Sequence, residues 1–187
     1  IHMGEGVIKV VGEVGTGKTM VCRKLIEQIE GDAELIYLPN PALTGAQLQL
    51  AVARELGIKN ADPLNVVELI QERLISIRSV GKRTVLIVDE AQALSFEALE
   101  TLRLFGNLET EKDKLLQLVL FGQPELEERL LSHNLRQFRQ RITFNCELRT
   151  LNLDEGVAYM DNRLNKAGNG AHIFSTVSYT HLTLPTT

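Results

Sequence analysis

The chain of 187 residues contains no tryptophan, three tyrosines and six phenylalanines, so aromatic residues make up only 5% of it. Positive charge is not in excess either: 20 Lys and Arg against 24 Asp and Glu leave a net charge of −4. Together these argue against a general nucleic-acid binder, which needs a basic surface interleaved with stacking side chains. Cysteine is scarce. Cys22 and Cys146 lie far apart, at no spacing that suits a metal or a redox dithiol, and are expected to be buried, reduced thiols. No apolar run approaches the roughly 18 residues of a membrane span. No signal-peptide pattern and no internal repeat is visible. What remains is an ordinary globular composition, 44% hydrophobic and 24% charged. The length suits one domain, or one domain and the start of a second, with a core that needs no disulfide or metal.

The two ends stand apart. A strand begins within a few residues of the start, in "IHMGEGVIKVV", and upstream sequence is expected. The last stretch, "TVSYTHLTLPTT" (Thr176–Thr187), carries no Lys, Arg, Asp or Glu. It resembles a translated DNA-library adapter. Thr, Val and Tyr would also suit a terminal strand, but the segment is set aside from the fold and the natural protein is expected to continue beyond about Ser175.

Between the ends, strands and helices alternate. "VIKVV" (Val7–Val11), "ELIYL" (Glu34–Leu38), "TVLIVDE" (Thr84–Glu90), "LLQLVLF" (Leu115–Phe121) and "ITFNCEL" (Ile142–Leu148) read as five strands. The strands are near-continuous apolar runs, so both faces are expected to be covered. A helix from Lys18 with Val21, Leu25, Ile26 and Ile29 at helical spacing should stop at Gly31. Thr44 should cap a helix ending before Gly57. Asp62-Pro63 should open another, with Leu64, Val67, Ile70, Leu74 and Ile77 on one face. Ser95 should cap a fourth, with Ala98, Leu99, Leu102 and Phe105 inward. Short helices are expected around Pro124–Leu131 and Leu135–Gln140, and a last one from Asp154 to about Ala167. This pattern predicts an α/β/α three-layer fold around a mainly parallel sheet. Residues 1–150 form the expected core and 151–175 the cut-short start of a helical domain. Residues 176–187 are the tail.

The segment "GEVGTGKT" fits the phosphate-loop pattern G-x-x-x-x-G-K-[ST] at every fixed position, with a strand before it and a helix after it. Backbone N–H groups must converge on a phosphate there, and side chains would block the approach, hence Gly12, Gly15 and Gly17. The helix N-terminus adds partial positive charge. Gly12, Glu13, Val14, Gly15, Thr16, Gly17, Lys18, Thr19 and Met20 are therefore the candidate nucleotide contacts. Lys18 can reach the β- and γ-phosphates, and the Thr19 hydroxyl can bind Mg²⁺. Asp89, at the end of an apolar strand, is the second candidate for Mg²⁺. Glu90, one residue on, aims differently and is placed to polarise an attacking water, which argues for hydrolysis rather than binding alone.

One extra strand, Glu34–Leu38, is expected to lie between the phosphate-loop strand and the Asp-Glu strand. That arrangement resembles the additional-strand ATPases, among them the AAA+ class. This resemblance implies further roles: Gln123 as the polar sensor of the γ-phosphate and the water, and Asn40 as a restraint on Glu90. It also implies an arginine finger toward a neighbour's ATP from "LRQFRQRI", with Arg136 and Arg139 ahead of Arg141. More specifically, "YLPNPALT", "VLIVDEAQAL", "LRLFGNLETEKDKLLQLVLFGQPEL" and "LRQFRQRITF" resemble the AAA+ ATPases of the ExeA/GspA secretion group, and within it the branch serving type IV pilus biogenesis. The likeness runs to about Ser175. It implies a bacterial P-loop NTPase that uses ATP and Mg²⁺ and forms a homo-oligomer with shared ATP sites. It also implies pilus or secretion assembly proteins as partners, and a place in the cytoplasm or on the cytoplasmic face of the inner membrane, which regions outside this chain would reach. With the helical lid cut, turnover is expected to be weak. The "NLETEKDK" segment, with Asn107, Glu109 and Glu111, could face a neighbour or be a solvated loop. Two other readings are weighed: a DNA-linked helper ATPase, using a patch from Arg129 to Arg149, and a nucleotide-gated scaffold with little turnover.

Overall fold

In the computed structural model, residues 6–39, 41–110 and 114–166 are described. Backbone contacts divide the chain into two units, Ile1–Leu148 and Arg149–Thr187. The first unit holds five strands: β1 (Val7–Gly12), β2 (Ala33–Leu38), β3 (Arg83–Val88), β4 (Leu116–Gly122) and β5 (Ile142–Leu148). Its helices are α1 (Lys18–Ile29), α2 (Gly45–Glu55), α3 (Val66–Ser79), α4 (Phe96–Phe105), α5 (Glu125–Leu130) and α6 (Arg136–Arg139). The second unit contributes α7 (Leu153–Lys166).

The sheet order is β2-β3-β4-β1-β5, and every neighbouring pair is parallel, so the strand between β1 and β3 is β4, and the expected Glu34–Leu38 strand, β2, lies at the edge beyond β3. Parallel pairing needs a crossover between strands, and the intervening helices supply it. Side chains alternate across the strands, so each strand feeds two cores. Leu86 and Val88 of β3 and Leu118 and Leu120 of β4 join the core that α2, α3 and α4 close. Val85, Ile87, Val119 and Phe121 face the other way, onto Cys22 and Ile29 of α1. The outcome is the expected three-layer α/β/α arrangement with a five-stranded parallel sheet.

Local signals explain most boundaries. Thr44 and Gln47 form a reciprocal capping box at the start of α2, each side chain bonding the other's backbone N–H. The Ser95 hydroxyl accepts the Ala98 N–H at the start of α4. At Asp62 the outcome differs from the expectation. Its carboxylate accepts the N–H groups of Leu64 and Asn65, at 2.8 and 3.1 Å, making a turn, and α3 proper begins at Val66. The turn leaves Leu64 98% exposed, and Val67 is also outside; Val66, Ile70, Leu74 and Ile77 form the inward face.

Two further expectations are corrected. Val21 is exposed, because α1 turns Cys22 and Ile29 to the sheet instead. The strand β5 is not covered on both faces. It lies at the sheet edge, pairs only with β1, and leaves Phe144 and Cys146 exposed. Only Cys22 is the buried thiol expected of both cysteines. Burial, with the charge of Asp89, pushes the Cys22 thiol up to about 11.

Candidate functional site at the carboxyl ends of the strands

In a parallel sheet the carboxyl ends of all strands open on one edge, where ligands of such folds sit. Here that edge carries Gly12 at the end of β1, Asp89 and Glu90 after β3, and Gln123 after β4. The topology therefore brings together residues that are more than 100 positions apart in sequence.

The loop from Gly12 to Lys18 shows why its glycines are needed. Gly15 and Gly17 have φ of +85° and +88°, the left-handed region that glycine enters freely, and no atom lies within 4 Å of where a Cβ would stand. Those positions are open toward solvent, as a cradle for phosphate must be. Gly12 needs its missing side chain for space: a Cβ there would lie 2.6 Å from Thr16 Oγ1 and 2.7 Å from the Leu148 carbonyl oxygen. The Thr16 hydroxyl donates to the Glu13 carbonyl at 2.9 Å and braces the loop. Lys18 opens α1 and is buried. Its ammonium folds back over the loop, donating to the carbonyls of Gly12 and Glu13 at 2.7 and 2.9 Å. Thr19 and Met20 are exposed beside it, and Val14 is exposed at the loop tip.

Asp89 is 5% exposed. Its N–H donates to the Leu38 carbonyl, and its carboxylate accepts the Glu90 N–H at 3.0 Å. The Tyr37 phenol also donates to it; burial is the first cause that raises the Tyr37 pKa, and this bond adds to it. The buried Asp89 carboxylate and the exposed Thr19 hydroxyl are oxygen donors of the kind a hard divalent cation takes.

Glu90 adopts φ +53°, a left-handed backbone that non-glycine residues rarely take. Its carboxylate Oε2 accepts from two side-chain amides, those of Gln92 and, at 3.1 Å, Gln123. The Gln92 amide is the largest influence holding the Glu90 carboxyl below its usual range. Burial opposes it, while Gln123 and the charge of Lys18 reinforce it. Gln92 also accepts the Gln123 backbone N–H on its side-chain oxygen at 3.1 Å, and its own carbonyl accepts from Arg129 of α5.

The sequence-predicted residues therefore fall into three groups. Lys18, Asp89, Glu90 and Gln123 gather at one edge, with Glu90 and Gln123 in direct contact. Arg136 and Arg139 are exposed on α6, whose packed side is Phe138. Arg141 stands at the amino end of β5, the far edge of the sheet from the loop, where it donates to the Gly106 carbonyl at 3.1 Å. Asn40 lies outside the described residues, as do Glu111 and the segment Thr176–Thr187. Gln92, Tyr37 and Arg129 were not foreseen at the site. Gln92 stands inside the quoted "VLIVDEAQAL", two residues past Glu90, but its partner Gln123 is 31 positions away and no short-range pattern joins them.

Comparisons with known proteins agree with this geometry. Residues 1–130 match the family model described as AAA domain. The chain is 43% identical over 175 residues to "General secretion pathway protein A" of Aeromonas hydrophila, covering 92% of this chain and 32% of that protein. Among solved structures, the Aeropyrum pernix ORC2 protein in ADPNP-ADP complexes superposes with a TM-score of 0.67 at 17% identity, covering 88% of this chain and 48% of the other. Cdc6p from Pyrobaculum aerophilum gives 0.67 at 21%, covering 86% and 44%. At such identities the solved structures carry the fold alone: that of an AAA+ P-loop NTPase.

Proposed function

The chain belongs to the AAA domain family, and on that premise we propose that it binds ATP with Mg²⁺ and hydrolyses it in the service of a secretion or pilus assembly apparatus. The observation that carries the reading is the shared edge. A glycine cradle after β1 meets a buried aspartate and a glutamate after β3, and Gln123 after β4 supplies one of the two amides that hold the glutamate.

Residues 12–19 bind the phosphates through backbone N–H groups at the start of α1. Lys18 exchanges the carbonyls of Gly12 and Glu13 for phosphate oxygens. Thr19 and Asp89 would hold the metal, which when bound would neutralise charge on the phosphates. Glu90 accepts a hydrogen bond from the attacking water, and Gln123 leaves Glu90 to meet the terminal phosphate. Arg136 or Arg139 reaches a neighbouring subunit's nucleotide, so sites are shared in a homo-oligomer.

The finer assignment follows the likeness to the Aeromonas hydrophila protein, of whose length this chain spans about a third. It supports an ATPase acting with secretion proteins at the cytoplasmic face of the inner membrane. Within that group the pilus branch, typified by MshM of mannose-sensitive haemagglutinin biogenesis, is the branch proposed for this chain. The segment 151–175 is then the start of a helical lid.

Two substitutions separate binding from turnover. Lys18→Met should lose tight binding of a fluorescent ATP analogue. Glu90→Gln should keep binding and lose release of phosphate. Turnover surviving Glu90→Gln would remove Glu90 from its role, and binding unaffected by Lys18→Met would remove the loop from its own.

A further inference from the structure

We propose that Gln92 is a positioning residue that restrains Glu90, holding its Oε2 and so the orientation of its carboxylate until nucleotide is engaged. The proposal rests on the reading of Glu90 as the group that polarises water.

The restraint is built from complete side-chain use. The Gln92 amide nitrogen donates to Glu90 Oε2, and the Gln92 amide oxygen accepts the Gln123 N–H at 3.1 Å. The same Oε2 accepts from the Gln123 amide at 3.1 Å. An oxygen with two N–H donors has both lone-pair directions engaged and is a poorer acceptor for a water proton. Of the two donors, Gln123 must depart if it is to contact a terminal phosphate. Gln92 has no such task and is the tether that remains.

The turn carrying Gln92 is itself anchored. Arg129 of α5 donates to the Gln92 carbonyl, and Ala93 N–H donates to the Glu90 carbonyl at 2.9 Å. Together they brace the left-handed backbone of Glu90. Gly122, the last residue of β4, leaves room for the arrangement: a Cβ there would stand 2.7 Å from Leu126 Cδ2 and 3.3 Å from the Gln92 amide oxygen. Gln92 thus ties Glu90 to the end of β4 on one side and to α5 on the other, and α5 packs on α6, which carries Arg136 and Arg139. A displacement of α5 would reach Glu90 through Gln92.

The test uses the full chain with Gln92→Met, which keeps length and volume but has no donor, and Arg129→Met, which frees the turn and leaves Gln92 in place. Steady-state ATP hydrolysis is measured beside hydrogen exchange at the Gln123 amide. Gln92→Met should raise kcat about 10- to 15-fold, the lower end of what one hydrogen bond to a charged group is worth, with KM changed less than 2-fold. Arg129→Met should raise it less, about 2-fold. Adding Glu90→Gln to Gln92→Met should abolish the gain. The Gln123 amide should lose protection in Gln92→Met. A kcat that is unchanged or lower in Gln92→Met at an unchanged KM overturns the restraint, and so does a Gln123 amide that stays protected. If the parent chain shows no turnover dependent on Glu90, the ATPase reading falls. Exchange at Gln123 then decides the tether alone, since its loss or retention does not depend on hydrolysis.

Discussion

Replacing Gly12 by alanine tests the packing of the phosphate loop against the sheet edge. Gly12 does not have a positive φ, so alanine's backbone is allowed and its stiffer unfolded chain would favour folding by about 0.4–1 kcal/mol. The new Cβ, however, would lie 2.6 Å from Thr16 Oγ1, 2.7 Å from the Leu148 carbonyl oxygen and 3.0 Å from Leu148 Cβ. Thr16 can swing away at the cost of its bond to Glu13. The Leu148 carbonyl cannot, because it belongs to β5 in register with Gly12. Overpacking of this kind costs about 1–3 kcal/mol, which leaves a net loss of about 1–2 kcal/mol and a Tm fall of about 2–8 °C. Adding Thr16→Ala should recover part of that loss and not all of it, since the backbone contact remains. Gly15→Ala differs in kind: nothing lies within 4 Å, so it should lose only the cost of a left-handed alanine, about 1–2 kcal/mol, with no coupling to Thr16. Denaturant melts of these three variants and of Thr16→Ala alone, without nucleotide, decide the matter. Gly12→Ala within about 0.5 kcal/mol of the parent, or full rescue by Thr16→Ala, would refute the reasoning.

Other outcomes follow from single contacts. Lys9 of β1 is 8% exposed and bonds Glu127 of α5. Glu127→Ala should therefore destabilise by about 2–4 kcal/mol, because it strands a buried ammonium, whereas Lys9→Met should lie within about 1 kcal/mol of the parent. Chemical denaturation compares them, and equal losses would contradict the buried-charge account. At the start of α7, Arg149 holds both Glu155 oxygens at 2.7 Å and the Asn152 N–H adds a third bond, which lowers the Glu155 pKa from 4.5 to about 2. A depressed carboxyl stabilises above its unfolded pKa and loses that contribution as pH falls through its folded one. The start of α7 should accordingly loosen between pH 4.5 and about 2. The carboxyl-carbon NMR shift of Glu155 should titrate near the lower value, and an Arg149→Ala chain should return it to the ordinary range.

Much of this was legible from pattern. β3 is apolar from Val85 to Val88 and β4 from Leu118 to Phe121, and buried parallel strands have no polar face to reveal or conceal. β5 was found by its span although its side chains are exposed, because its alternation of Thr, Asn and Glu with apolar residues marks an edge strand. That same alternation contradicted the expectation of two covered faces. Helix faces were read less well. Val21, Leu64 and Val67 fit helical spacing, but a turn at Asp62 and the rotation of α1 decide which residues meet the sheet, and neither is a matter of period. The phosphate loop was legible because its chemistry demands contiguous residues. The control of Glu90 was not, since two glutamines 31 positions apart become neighbours only when β3 and β4 lie side by side. Arg141, which stands between α6 and β5, donates to the Gly106 carbonyl, a contact 35 positions back along the chain that no local spacing announces.

The most direct test of the ATPase reading is the rate of ATP hydrolysis per chain as a function of chain concentration, with Glu90→Gln measured beside it. Shared sites predict a specific rate that rises with concentration, vanishes in Glu90→Gln, and is partly restored when Glu90→Gln chains are mixed with chains carrying Arg136→Ala and Arg139→Ala. A rate that stays flat at the Glu90→Gln level at every concentration, despite tight ATP binding, would contradict hydrolysis and leave a nucleotide-gated scaffold.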